Sequence, residues 1–151
     1  MHIQLTAVIL SFMFEKCLYY NSNALARSVT RIWTAAYQQF DLSPPHAFLV
    51  RLVLTNPGIS PRELAEKLTL SRSTVTRFLD SLEKKKFIKR KALGSDGREI
   101  QVFPLSRAKE IHAELNETRA FLMKKMETLF GEKEISKTVN NLRKTREKLD
   151  K

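Results

Sequence analysis

The 151-residue sequence predicts a mostly α-helical fold with one small β-hairpin. Three observations predict it. Residues 59–98, ISPRELAEKLTLSRSTVTRFLDSLEKKKFIKRKALGSDGR, hold two capped helical patterns followed by a β-type run and a glycine-containing tip. Apolar residues recur at helical spacing on both sides of this stretch, through residues 16–40 before it and 106–150 after it. Glycine is scarce, four in the whole chain, and two of them, Gly94 and Gly97, fall at the hairpin tip.

Taken in order, the elements have local causes. No Pro or Gly interrupts Lys16 to Phe40, and Leu18, Leu25, Val29, Ile32, Ala36 and Phe40 fall on one stripe, which predicts a first long helix. Asp41-Leu42-Ser43-Pro44-Pro45 stops it and starts a second, which runs to the stop signal Asn56-Pro57-Gly58. Phe48, Leu52 and Val53 of this second helix are expected to pack beneath the segment that follows. Ser60-Pro61-Arg62-Glu63 is a capping box with proline at the first helical position. Leu64, Ala65 and Leu68 give that third helix its apolar side, and Thr69-Leu70 leaves room only for a tight turn. Ser71 then caps a fourth helix in which Val75, Leu79 and Leu82 recur at spacings of four and three. Ile88–Leu93 and Ile100–Phe103 predict two strands around the tip Gly94-Ser95-Asp96-Gly97-Arg98. Ser106 is expected to cap a helix running to about Phe130, Gly131 to break it, and Ile135, Val139, Leu142 and Leu149 to line a last one. Ile135, Leu142 and Leu149 are seven apart, a seam suited to helix pairing.

Two short helices joined by a tight turn and followed by a basic hairpin make a winged helix-turn-helix, flanked by N- and C-terminal dimerisation helices. The expected layout is a single domain over residues 1–151, with the winged helix-turn-helix in 43–105 and dimerisation helices in 1–42 and 106–151. On the face of the fourth helix opposite its apolar stripe lie Arg72, Ser73, Thr76 and Arg77, with Thr74 and the capping Ser71 beside them as further candidate DNA contacts. These side-chain types reach base edges and phosphates from a helix lying in a major groove. Ser60 and Arg62 stand at a helix N-terminus where phosphate binds, although capping alone accounts for Ser60. Lys89, Arg90 and Lys91 cannot all point the same way from a strand, so one or two of them are expected to face phosphate. Arg98 sits where a wing dips into a minor groove, and Asp96 is expected to hold Arg98 or the hairpin in shape.

Charge agrees. The chain carries 27 Lys and Arg against 16 acids, a net charge of +11. Residues 62–98 hold 11 bases and 5 acids, so a quarter of the chain carries more than half of the excess. A basic surface concentrated around base-reading side chains is the electrostatic footprint of duplex binding.

The run Leu70 to Arg77 (Leu-Ser-Arg-Ser-Thr-Val-Thr-Arg), then Leu82-Glu83-Lys84-Lys85 with Ile88 and Arg90, the Asp96-Gly97-Arg98 wing and the closing Leu105-Ser106 resemble the MarR-type bacterial winged-helix regulators. Residues 17–56 also look like that family's first two helices. One departure is Lys86, where many members have a glycine ending the recognition helix. The resemblance implies a sequence-specific regulator of double-stranded DNA, a repressor in the expected form. It further implies a homodimer whose first and last helices interleave on a pseudo-palindromic operator, and release by a small-molecule effector. The implied effector pocket involves the segment from Tyr20 to Trp33 with Phe48 and Arg51.

Cys17 is the only cysteine, so there is no intrachain disulfide, and a reducing cytoplasm is the expected location. Cys17 lies beside Tyr19 and Tyr20, and relatives in the peroxide-sensing branch of the family use an N-terminal cysteine with tyrosines nearby. A cysteine-based redox sensor of the same fold is therefore an alternative to a small apolar residue packed in the dimer interface. His2, His46 and His112 are far apart with no metal-ligand spacing, so neither a metal nor a cofactor is expected. Residues 3–14 are apolar but too short to span a bilayer, and no basic run precedes them as in a signal peptide. They are expected to be extra dimer surface or an addition from an upstream start codon, with no membrane partner. No nucleotide-binding loop or nucleophile-and-base constellation appears, so catalysis is not expected. Two other readings share features with the first. A sequence-indifferent architectural DNA-binding protein would share the charge without needing hydroxyl-bearing residues on the recognition face. A winged helix used for protein interaction would leave the basic surface without a purpose.

Overall fold

The computed structural model describes residues 14–93 and 99–150. Among the described residues there are seven α-helices, one 3-10 turn and a two-stranded antiparallel sheet. The mostly helical fold with one hairpin is therefore as the sequence predicts. The chain divides into two compact units, Met1–Pro44 and Pro45–Lys151.

In the first unit, helix α1 spans Leu18–Tyr37 and tightens into a 3-10 turn over Gln38–Phe40. It is shorter than the expected Lys16–Phe40, because its start is drawn in by Asn21. That amide donates to the carbonyls of Phe14, Glu15 and Cys17 at 3.0, 2.9 and 2.9 Å, holding the preceding chain in a turn. Leu18, Leu25 and Val29, three members of the apolar stripe, are 59%, 44% and 37% exposed.

The second unit carries the helix-turn-helix. Helix α2 spans Pro44–Thr55 and buries Ala47, Leu49, Val50 and Val53. Phe48, expected in that core, is instead 38% exposed, because the buried stripe falls one residue to either side of it. Helix α3 (Pro61–Leu68) buries Leu64 and Ala65, and helix α4 (Arg72–Lys84) buries Val75, Leu79 and Leu82. Strands β1 (Ile88–Leu93) and β2 (Glu99–Pro104) pair antiparallel from Ile88↔Pro104 to Leu93↔Glu99. Ile59 adds an isolated bridge to Val102, so the start of the helix-turn-helix is stitched to the sheet. Gly58 makes this possible: its φ is +92°, and a Cβ there would lie 3.4 Å from the Gln101 side chain.

After the hairpin the expected single helix is two. Helix α5 spans Ser106–Glu110 and helix α6 His112–Phe130, with Ile111 between them at φ −88°, ψ 2°. The break has a tertiary cause. Ala108 is fully buried, and the Leu105 N–H is held by the Phe87 carbonyl at 2.9 Å, so α5 docks on the hairpin and the chain must re-aim at Ile111. Ser106 is the first helical residue and Leu105 the N-cap, with no side-chain cap. Gly131 ends α6 at φ 83°, as expected, and helix α7 spans Glu132–Leu149. Helix α6 buries Leu115, Leu122 and Met126. Helix α7 buries nothing, and its Val139, Leu142 and Leu149 are 57%, 46% and 73% exposed.

Candidate nucleic-acid interface

The site begins with two helix caps. At Ser60 the capping box is complete: the Glu63 N–H donates to Ser60 Oγ at 3.2 Å, and the Ser60 N–H donates to Glu63 Oε2 at 2.9 Å. That backbone N–H, with the Ser60 hydroxyl, holds the Glu63 carboxyl below its ordinary pKa. The Ser60 hydroxyl is thus engaged in its own helix. Arg62 lies in an exposed i, i+4 ion pair with Glu66 at 3.0 Å. The turn between α3 and α4 is made by Thr69 in the left-handed region, φ 55° and ψ 48°. A β-branched residue there is an outlier that only its surroundings sustain. The Thr69 N–H reaches the α3 carbonyls of Ala65 and Glu66, and the Leu70 N–H reaches Ala65 at 2.9 Å.

Ser71 caps the recognition helix α4. Its Oγ accepts from the Thr74 N–H at 3.1 Å and lies 2.8 Å from Thr74 Oγ1 and 3.0 Å from Ser73 Oγ. Ser71 and Thr74 are therefore tied into the cap. Thr76 is exposed while its hydroxyl donates back to the Arg72 carbonyl at 3.0 Å, leaving its oxygen free to accept. Arg72, Ser73, Thr76 and Arg77 are all exposed, on the face opposite buried Val75, Leu79 and Leu82. Neither Arg72 nor Arg77 is ion-paired among the described residues. The arrangement is an exposed polar face that carries two cationic forks.

On the hairpin the three basic residues of β1 separate by the strand alternation. Lys89 and Lys91 are exposed, and the Lys91 ammonium sits 5.4 Å from the Phe103 ring centre. Arg90, expected as a candidate DNA contact, is half-buried and turned toward α4. Its Nε and one terminal nitrogen donate to Glu83 Oε2 at 2.9 and 2.6 Å, and the same terminal nitrogen lies 2.8 Å from Asp80 Oδ1. The Arg90 backbone N–H takes the other Glu83 oxygen at 2.9 Å. This N–H, then the guanidinium, holds the Glu83 carboxyl below its ordinary pKa, against the opposing effect of burial. The hydrogen bond to Glu83 raises the Arg90 pKa in turn. Asp96 and Arg98 lie outside the described residues, as do residues 3–13 of the apolar N-terminal segment.

Sequence reasoning missed Arg107. Its guanidinium donates to the Lys85 carbonyl at 2.7 Å and lies 4.3 Å from the Phe87 ring centre, so it caps the C-terminus of the recognition helix from the start of α5. Nothing local marks it, since the two residues are 22 apart. Asp80 and Glu83, which meet Arg90, were likewise not singled out from the sequence.

The expected effector residues are divided between the two units. Tyr20 is exposed and packs on Phe14 at 5.2 Å, and Trp33 is half-buried in α1. In the second unit Phe48 is exposed, and Arg51 Nε donates to Asn116 Oδ1 at 3.1 Å, joining α2 to α6. A groove on α1 is lined by Ala24, Arg27, Ser28 and Arg31, all within the expected Tyr20 to Trp33 segment. Cys17 is half-buried at the N-cap of α1. His46 packs on Phe78 at 4.7 Å, and burial, then the charge of Lys85, holds its pKa below the ordinary value. Among the described residues no three His, Cys, Asp or Glu side chains gather to hold a metal ion. No described helix is long and apolar enough to cross a membrane.

Comparison with known proteins gives this geometry a context. Residues 42–100 match the MarR family. The HTH-type transcriptional regulator SarZ of Staphylococcus aureus is 25% identical over 126 residues, covering 83% of this chain and 82% of its own. The transcriptional repressor CouR, solved bound to a 23-mer DNA duplex, superposes with a TM-score of 0.78 at 20% identity, over 87% of this chain and 94% of that one. The PcaV transcriptional regulator of Streptomyces coelicolor, solved with its natural ligand, superposes with a TM-score of 0.73 at 16% identity, over 87% and 95% of the two chains. Residues 42–100 thus carry a MarR-family domain, and the chain shares the winged helix-turn-helix fold of these transcriptional regulators.

Proposed function

We propose that this chain is a sequence-specific repressor that binds double-stranded DNA as a homodimer on a pseudo-palindromic operator and is released by a small-molecule effector. One observation carries the reading: exposed Arg72, Ser73, Thr76 and Arg77 share one face of a capped helix whose other face is buried. Arg forks pair with guanine edges and phosphates, and hydroxyls adapt to either. Helix α4 enters the major groove, Lys89 and Lys91 meet phosphate from the hairpin, and Arg98 at the tip reaches the minor groove. The supporting comparison is CouR, a repressor bound to duplex DNA.

The dimer is supported by the exposed apolar residues of the two terminal helices, Leu18, Leu25 and Val29 on α1 and Val139, Leu142 and Leu149 on α7. A second copy is the simplest cover for such stripes. Two reading helices at fixed spacing recognise half-sites about 10 base pairs apart. An effector that changes the spacing costs base contacts worth ~1–3 kcal/mol each, so the protein switches without catalysis. PcaV, solved with its natural ligand, supports the effector arm. A cytoplasmic location follows from the DNA target.

Selection of bound duplexes from a random pool, followed by fluorescence anisotropy and light scattering of the complex, tests this. A preference of about a thousandfold for the selected duplex, with two chains per site, is the expected result. Equal and steeply salt-dependent binding to every duplex would replace the reading with an architectural DNA-binding role.

A further inference from the structure

We infer that Arg90 serves DNA binding as a positioning residue, clamping the wing to the recognition helix through Glu83 and Asp80, and does not itself contact DNA. The inference rests on the DNA-binding reading above.

A hairpin joined to a helix by three residues can pivot at its base. Here Glu83 binds both the backbone N–H and the guanidinium of one strand residue, at 2.9 Å for the N–H and at 2.9 and 2.6 Å for the side chain. Both the position and the rotation of β1 relative to α4 are thereby set, one residue before the helix ends. Asp80 adds a second anchor at 2.8 Å, one helical turn further back. The Arg90 side chain is 28% exposed, Glu83 36% and Asp80 56%, so the clamp is partly shielded from water, where such forks hold best. Lys89 and Lys91 flank Arg90 on the opposite side of the strand and are exposed. The alternation of the strand thus divides labour: two lysines face outward and the arginine faces the helix.

The two carboxylates would otherwise be out of place. Negative charge on a DNA-reading helix repels phosphate, so neutralising it should tighten binding if electrostatics were its only effect. If Glu83 holds the wing, neutralising it should weaken binding. The two roles predict opposite signs for one substitution.

The test uses the full chain as wild type, Glu83→Gln, Arg90→Gln and Arg90→Lys. Affinity is measured for a duplex selected from a random pool, across a series of salt concentrations, with amide exchange of residues 88–93 in the absence of DNA. The clamp predicts that Glu83→Gln and Arg90→Gln each weaken binding by about tenfold, the loss of one well-placed base contact. It predicts that the slope of log affinity against log salt stays at the wild-type value, and that exchange across residues 88–93 accelerates. A direct phosphate contact would instead lower the slope by ~0.9 in Arg90→Gln, and Arg90→Lys would keep wild-type affinity. Tighter or unchanged binding by Glu83→Gln, or a reduced slope in Arg90→Gln, would overturn the inference. If Arg90→Gln does not fold, Arg90→Lys and Glu83→Gln decide. If the wild type binds no duplex, the DNA reading fails by itself. Exchange then judges the clamp alone, and unchanged rates in Glu83→Gln would refute it.

Discussion

Replacing Lys86 by glycine should stabilise the protein, for reasons that lie at the end of the recognition helix. Lys86 has φ 60°, in the left-handed region. Its N–H donates to the Glu83 carbonyl at 2.9 Å, and the Phe87 N–H donates to the Leu82 carbonyl at 2.9 Å. This pair of bonds is a Schellman motif, and Lys86 occupies the position where glycine is preferred. Leu82 and Phe87 are both fully buried, which suits the apolar contact that accompanies such a motif. The surroundings therefore hold the backbone where a Cβ is unwelcome. A left-handed L-residue costs about 1–2 kcal/mol, and the added freedom of glycine in the unfolded chain offsets about 0.4–1 kcal/mol of the relief. The net gain is about 0.5–1 kcal/mol, which in a chain of this length raises Tm by about 1–4 °C. Lys86→Ala is the control, because it removes the same charge and keeps the Cβ. Thermal unfolding of the three proteins by circular dichroism, at one protein concentration so that association does not shift Tm, should rank Lys86→Gly above both wild type and Lys86→Ala. A Tm for Lys86→Gly no higher than that of Lys86→Ala would refute the strain argument.

Other perturbations test other parts of the site. Arg72→Ala and Arg77→Ala should each lower affinity for a selected duplex by ~1–3 kcal/mol where the arginine reads a base, with relaxed preference at that position. Equal losses on selected and scrambled duplexes would make the arginine a phosphate contact only. Arg107→Gln removes the charged donor on the Lys85 carbonyl and the stacking over Phe87, and because Arg107 is exposed the loss should be about 1 kcal/mol in urea unfolding. For His46 the sign follows from its lowered folded-state pKa: the folded state releases the proton more readily than the unfolded chain does. Stability should be at its full value above the ordinary value of 6.5 and fall as pH drops below it toward the folded-state pKa. His46→Gln should flatten that part of a stability–pH profile, and an unchanged profile would remove His46 as the cause.

Much of the fold is legible in the chain because its signals are local. The Ser60 capping box, the Ser71 cap, Pro44 at the start of α2 and Gly131 after α6 each act within about four residues, and each element lies where they place it. The exposed face of α4 was equally legible, since a period of 3.6 residues decides which side chains oppose Val75, Leu79 and Leu82. Other features needed the folded chain. Strand alternation shows that Arg90 faces away from Lys89 and Lys91, but only the docking of the hairpin on α4 decides that it meets Glu83 and Asp80. Phe48 lies outside the core because the α2 stripe centres on Leu49, Val50 and Val53, and the surfaces packed against a helix choose its buried side. The break at Ile111 follows from α5 docking beside Phe87, and the cap from Arg107 joins residues 22 apart in sequence. Caps and periodicities are written in neighbouring residues. Which charges meet, and which apolar faces close, depends on surfaces that come together only when distant segments pack.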